Sequence, residues 1–276
     1  MRRRSASVLY QNSRLKHFFS LLRSYLLWDP LIMLYTGILG TFSLIASLFD
    51  GTGRMQHWLA RFWSRLILKT VLARVQIEGM ERIDTAKPHL YAANHLSAMD
   101  IPVLYDSLPF QFRIVAKHEL FRYPFLGWHL RRSGQIDIDA QNAMSSLRSM
   151  NRAVQTLRGG MPIVVFPEGG RSRNGEVRPF LPGAFYVAIK SQVDIIPVAL
   201  VGTYEMLPIN TYHVMPRKLE LVFGNPISTV GYTPREMAKL AAIVQRAVED
   251  LYYSRAEIPD PRESPVAQPS PAAQRP

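Results

Sequence analysis

Cysteine is missing from this chain of 276 residues. Its absence excludes disulfides, a thiolate nucleophile and cysteine-based zinc or iron–sulfur centres, and it fits a reducing compartment. No G-x-x-x-x-G-K-[ST] phosphate loop and no G-x-G-x-x-G fingerprint occurs, so neither common nucleotide-binding loop is present. No G-x-S-x-G elbow surrounds a serine, which argues against the serine-hydrolase reading that Ser97 beside His95 invites. The seven histidines show no metal-ligand spacing; His118 and His129 could share a helix but lack a third partner. Acidic residues are scarce at the start: Arg2, Arg3, Arg4, Arg14, Lys16 and Arg23 meet no carboxylate before Asp29.

Basic residues dominate what is there. The formal net charge of +12 favours a polyanionic partner, whether nucleic acid, an anionic membrane surface or a phosphorylated substrate. The N-terminus favours a membrane. Pro30 to Phe49, PLIMLYTGILGTFSLIASLF, runs for twenty residues without a charge, about 30 Å of helix and the thickness of a bilayer's hydrocarbon core. After it, Arg54, Arg61, Arg65 and Lys69 fall on one stripe of a helix, with Met55, Leu59, Phe62 and Leu66 to one side and Trp58 and Trp63 flanking. This segment reads as a basic amphipathic helix lying in an interface. Gly37, Gly40, Thr41, Ser43 and Ser47 offer a small-residue face for packing on it. Positive charge on both flanks leaves a single span and a shallow hairpin equally open, and a buried helix of a soluble domain is the alternative to both.

From residue 75 onward, apolar strand patterns alternate with helical ones. VQIEG, HLYAAN, FRIVAK, GQIDID, PIVVFP, DIIPVALV and KLELVFG read as strands. Helices are expected over 119–132, broken near Pro124, and over 142–158, 182–191 and 233–253, the last opened by a Thr233–Glu236 capping box. The expectation is an α/β fold: a mixed, largely parallel sheet flanked by helices, preceded by a membrane-binding helix pair. Three segments follow: membrane-anchoring helices over 1–74, an α/β domain over 75–257, and a disordered tail over 258–276, where six of nineteen residues are proline.

Two loops carry chemistry. AANHLSAMD, 92–100, places His95 just past a strand and Asp100 in the first turn of a helix. Asp100 can then accept from one imidazole nitrogen and leave the other as a base facing a cleft. The alternative is a histidine satisfied by a neighbouring N-cap aspartate. FPEGGRS, 166–172, follows the strand PIVVFP. Glu168 and Arg171 there suit a substrate bearing a hydroxyl and a phosphate, and Gly169 and Gly170 let backbone approach a ligand. The alternative is a surface loop with an internal ion pair.

Together these residues resemble the four blocks of the glycerolipid acyltransferase family. The blocks are N-H-x-S-x-x-D from Asn94, K-x-E-L-F-x-x-P-x-x-G from Lys117 to Gly127, F-P-E-G-x-R-S, and I-I-P-V at 195–198. The match runs over about 75–230 and is most similar to the 1-acylglycerol-3-phosphate acyltransferases. The resemblance implies that His95 is the general base for an sn-2 hydroxyl and that Asp100 orients it. It implies that Glu168, Gly169, Arg171 and Ser172 hold glycerol phosphate, that Lys117 adds charge beside the cleft, and that Ile196 and Pro197 shape the acyl site. The co-substrate is then an acyl thioester of coenzyme A or acyl carrier protein, with no cofactor, no metal and no nucleic acid. The expected place is the cytoplasmic face of the cell membrane, against an anionic lipid surface. Two departures stand out: Ala140 occupies a position where the family often has arginine, for which Arg131 or Arg132 is a candidate substitute, and Gly170 replaces a usual threonine. Ala140 keeps another lysolipid acceptor open. A non-catalytic lipid-binding protein and a nucleic-acid binder are the readings from other classes.

Overall fold

The computed structural model describes residues 15–139 and 141–263; Ala140, the first fourteen residues and the tail from 264 lie outside them. Among the described residues, seven strands form one sheet in the order β1-β7-β6-β2-β5-β3-β4. They are β1 (Arg74–Glu78), β2 (Leu90–Ala93), β3 (Arg113–Lys117), β4 (Ile136–Ile138), β5 (Ile163–Val165), β6 (Ile195–Val201) and β7 (Lys218–Phe223). Of these neighbours, the β6–β7 pair alone is antiparallel. The mixed, largely parallel sheet expected from the sequence is therefore present.

Alternation along the central strands builds two cores, one on each face. Leu90 and Ala92 of β2 join Ile195 and Ala199 of β6 in one, together with Leu157 and Phe185. Tyr91 and Ala93 join Ile196, Val198 and Leu200 in the other, together with Leu104 and Phe112. Helices cover both faces: α3 (Asp100–Ser107), α6 (Ala143–Arg158), α7 (Gly183–Ser191) and α9 (Met237–Tyr253), with the short α4 (His118–Arg122), α5 (Leu126–Arg132) and α8 (Thr203–Met206) between strands. The capping box forms before α9, where Glu236 accepts from the Thr233 amide at 3.0 Å.

The N-terminal helix α1 (Leu15–Ala46) is long and apolar enough to cross a membrane, and only 11% of its most apolar window is buried. It widens to π geometry over Arg23–Trp28, just before Pro30, which has no N–H to give and whose ring crowds the preceding turn. The helix is also tied to the domain: Trp28 is buried in the second core, and the Ser24 hydroxyl bonds the Val214 backbone.

Helix α2 (Arg54–Thr70) buries a different face from the stripe read in the sequence. Gln56, His57, Ser64, Ile67 and Leu68 turn inward, while Met55, Trp58 and Phe62 stay exposed. The outward apolar stripe agrees with an interfacial helix. The small-residue face does not work as expected. A Cβ on Gly37 or Gly40 would meet nothing within 4 Å, so no neighbouring helix packs closely there. Helix α1 meets α2 through Trp63 donating to Thr36, and Ser43 turns instead to His129 of α5. The expected disorder does not hold over 258–263, where Arg262 is ion-paired with Glu249, Asp250 and Asp260; the rest of that expected tail lies outside the described residues.

Candidate active site

The site assembles where three parallel strands end. Ala92 of β2 pairs with Val165 of β5, and His95 and Glu168 each follow three residues on. Because β2 and β5 are in-register neighbours, residues equally far past that pair emerge side by side. Ile114 of β3 pairs with Val164 of β5, so Lys117 emerges at the same edge. Loops at the carboxyl ends of β2, β5 and β3 thus converge, at a crevice where strands of distant sequence lie adjacent.

The histidine is held from several sides. Its Nδ1 stands 2.8 Å from Asp100 Oδ2, and the same oxygen accepts the Leu96 and Ser97 amides at 2.8 and 2.9 Å. Asp100 is fully buried, whereas the His95 side chain keeps 19% of its surface exposed to the cleft. With Nδ1 committed to a carboxylate, the neutral ring carries its proton there and leaves Nε2 as the acceptor. Phe166 stacks on the ring at 4.1 Å between centroids. Asn94 pairs both amide atoms with the Leu200 backbone, tying the histidine loop to β6. Ser97 donates to the Leu207 carbonyl at 2.7 Å, so its hydroxyl holds a distant segment and not only its own loop.

Glu168 has a different role from the one the resemblance implies. It is buried at 3% exposure and absent from the cleft wall. Oε1 accepts the His95 amide at 2.7 Å, and Oε2 accepts the Arg178 amide at 3.0 Å. It braces the histidine loop against the chain after the glycines. Burial pushes its carboxyl up to about 8, against the opposing pull of those two amides. Ser172 lines the cleft and also braces it: its amide donates to the His95 carbonyl at 2.9 Å, and its hydroxyl bonds Asn174. Gly169 has φ +66°, a conformation that favours glycine.

Four cations line the cleft: Lys117, Arg171, Arg173 and Arg178. None has a carboxylate within ion-pair distance among the described residues. Arg173 and Arg178 escaped the motif reading, and only the basic composition of 171–178 signalled them. A side chain on Gly170 would begin 3.3 Å from Lys117 Nζ and 3.4 Å from Arg178 Nη1. The glycine that replaces threonine therefore makes room for two cationic heads. Arg131 does not substitute at the cleft, since it donates to the Phe121 carbonyl, and neither it nor Arg132 lines the wall. Ile196 and Pro197 are buried within β6 and also stand away from it. His118 and His129 occupy separate helices, paired with Asp137 and Ser43.

The cleft measures about 1410 Å³, more than a single small ligand needs. Beyond the cations the wall mixes apolar residues, Ile136, Ile138, Met150, Ala153, Val165 and Val187, with polar ones that include Glu119, Glu176, Ser146 and Ser149. A large cavity lined by His95, four cations and a run of apolar side chains has the groups that acyl transfer to a hydroxyl of an amphiphile needs.

Comparison with known proteins agrees with that class. Residues 74–201 match the Acyltransferase family model. Within that class, the chain is 30% identical over 183 residues to a chloroplastic 1-acyl-sn-glycerol-3-phosphate acyltransferase of Arabidopsis thaliana, covering 65% of this chain and 51% of that one. It is 29% identical to the 1-acyl-sn-glycerol-3-phosphate acyltransferase of Saccharomyces cerevisiae, covering 82% and 77%. The crystal structure of the 1-acyl-sn-glycerophosphate acyltransferase of Thermotoga maritima superposes with a TM-score of 0.65 at 26% identity, covering 86% of this chain and 97% of that one. The chain spans about half the length of several of the curated plant and algal relatives.

Proposed function

We propose that the protein is a membrane-associated acyltransferase that moves a fatty acyl group from an acyl thioester to the sn-2 hydroxyl of lysophosphatidic acid, forming phosphatidic acid. The observation that carries this reading is that His95, with Nδ1 held by Asp100, lines one cleft together with four cations and many apolar side chains. Lys117, Arg171 and Arg178 suit a phosphate, Arg171 as a planar donor fork. The apolar wing suits an acyl chain.

In the reaction, His95 Nε2 takes the proton of the acceptor hydroxyl as its oxygen attacks the thioester carbonyl carbon. The tetrahedral adduct collapses, the carbon–sulfur bond breaks, and the imidazolium returns the proton to the leaving thiolate. Asp100 stabilises the imidazolium and fixes its tautomer. No covalent acyl-enzyme is needed, and the chain has no cysteine to form one. The thiol carrier is coenzyme A or acyl carrier protein, and the place of work is the cytoplasmic face of the inner membrane. Thioester release by detergent-purified protein, with lysophosphatidic acid, with lysophosphatidylcholine and without acceptor, tests the reading. Turnover with lysophosphatidic acid alone is expected. Equal turnover with both acceptors overturns the phosphate assignment, and no turnover with either donor overturns the activity.

A further inference from the structure

A second apolar surface lies away from α1 and α2 in sequence. At the α4–α5 turn and the start of α5, Tyr123, Phe125, Leu126 and Trp128 are exposed at 59, 66, 44 and 50%. Four large apolar side chains within six residues form a patch that a soluble surface seldom carries. Phe125 and Trp128 lie 5.3 Å apart between ring centroids. Phe125 is also held at φ +60°, a backbone conformation that costs free energy in a bulky residue and persists only where the surroundings impose it.

The patch continues the apolar surface of α1. His129 Nδ1 meets the Ser43 hydroxyl of α1 at 2.8 Å, and the His129 amide donates to the Phe125 carbonyl at 2.9 Å, so Phe125 opens the turn that carries His129. Phe42 and Ile45, beside Ser43, are exposed at 57 and 49%. Arg122 and Arg132 bracket the patch without a carboxylate partner among the described residues. Aromatic rings with arginines at their edge suit the boundary of an anionic bilayer. On the inner side, Leu120 and Tyr123 of the same segment line the catalytic cleft.

We infer that the α4–α5 turn is a second membrane-contacting element: an aromatic wedge that enters the interface of an anionic bilayer and sets the cleft mouth against the leaflet. The lysolipid then passes along Tyr123 and Leu120 into the cleft without crossing water. This rests on the lipid-acyltransferase reading above, but its first test does not require activity. Full-length protein is bound to vesicles of phosphatidylglycerol and phosphatidylcholine carrying brominated acyl chains, and tryptophan quenching is compared between wild type and Trp128→Phe. Loss of a quenched component in the variant is expected; quenching unchanged by the substitution overturns the wedge, because Trp128 is then not at the bilayer.

The second test separates presentation from chemistry. The double variant Phe125→Ser, Trp128→Ser is assayed on vesicle-borne lysophosphatidic acid and on a short-chain, water-soluble one. A loss of at least about tenfold in kcat/KM on vesicles, with the soluble substrate turned over within about twofold of wild type, is expected. An equal loss on both substrates, or none on either, overturns the wedge. Wild-type failure on both substrates counts against the enzymatic reading, and the quenching result still decides the wedge.

Discussion

In the proposed reaction, His95 is the residue on which the chemistry turns. A positioned general base contributes about 10² to 10⁴ in rate. We predict that His95→Ala loses at least about a hundredfold in turnover with an unchanged unfolding transition, measured by thioester release and circular dichroism. Arg171 faces the cleft without a carboxylate partner among the described residues, and the proposed function assigns it to binding. Arg171→Ala should raise KM for the lysolipid by the worth of a charge-assisted hydrogen bond, about 1.5–3 kcal/mol, and leave kcat for bound substrate largely intact. Glu168 acts through others. Glu168→Gln keeps one acceptor but turns an amide NH₂ towards a backbone N–H, so it should lower stability by about 1–3 kcal/mol. The pH dependence follows from the carboxyl's upward shift, from 4.5 to about 8. Between those values the folded chain keeps a proton that the unfolded chain has lost, so this group makes stability fall as pH rises. Glu168→Gln removes that slope, which denaturant unfolding at pH 5 and pH 8 would read.

At the scale of elements, one glycine shows why a motif has its spacing. K-x-E-L-F-x-x-P-x-x-G ends at Gly127, where a Cβ would collide with the Phe121 carbonyl oxygen. The short helices α4 and α5 cross there, backbone against side-chain-free backbone. Gly127→Ala must force them apart, with a destabilisation of about 1–3 kcal/mol read from the thermal midpoint, and it should disturb the cleft wall at Leu120. Pro124 breaks the helix as its sequence position implies, but the break alone does not say that the two halves fold back on each other.

For the molecule as a whole, the N-terminal helix is part of the fold. Trp28 is buried against the core of the α/β domain, and Ser24 completes the hydrogen bonds of the Val214 backbone. Trp28→Ala should therefore destabilise the whole fold by about 3–5 kcal/mol, seen as a lowered unfolding midpoint of the detergent-purified chain. A helix that only tethered the domain would leave that midpoint where it is. The same attachment holds the α4–α5 turn beside α1, so the cleft and the apolar surface keep a fixed relation.

Much of the molecule was legible in the residues alone. The order of strands and helices, the largely parallel sheet, the membrane-length run and the His95–Asp100 pair all follow from local signals: periodicity, caps, turn residues and a spacing confined to one loop. Those signals act over a few residues, within reach of the chain's own geometry. Which loops meet was decided by tertiary structure. β5 inserts between β2 and β3, and that placement brings Glu168 under His95 and lines up Lys117 beside them. It also turns Glu168 from a ligand into a brace, brings Arg178 to Gly170, and leaves Arg131, Ile196 and Pro197 away from the cleft. A sequence motif records which side chains sit near a strand's end; the direction each one takes depends on partners tens of residues away, and only packing selects those.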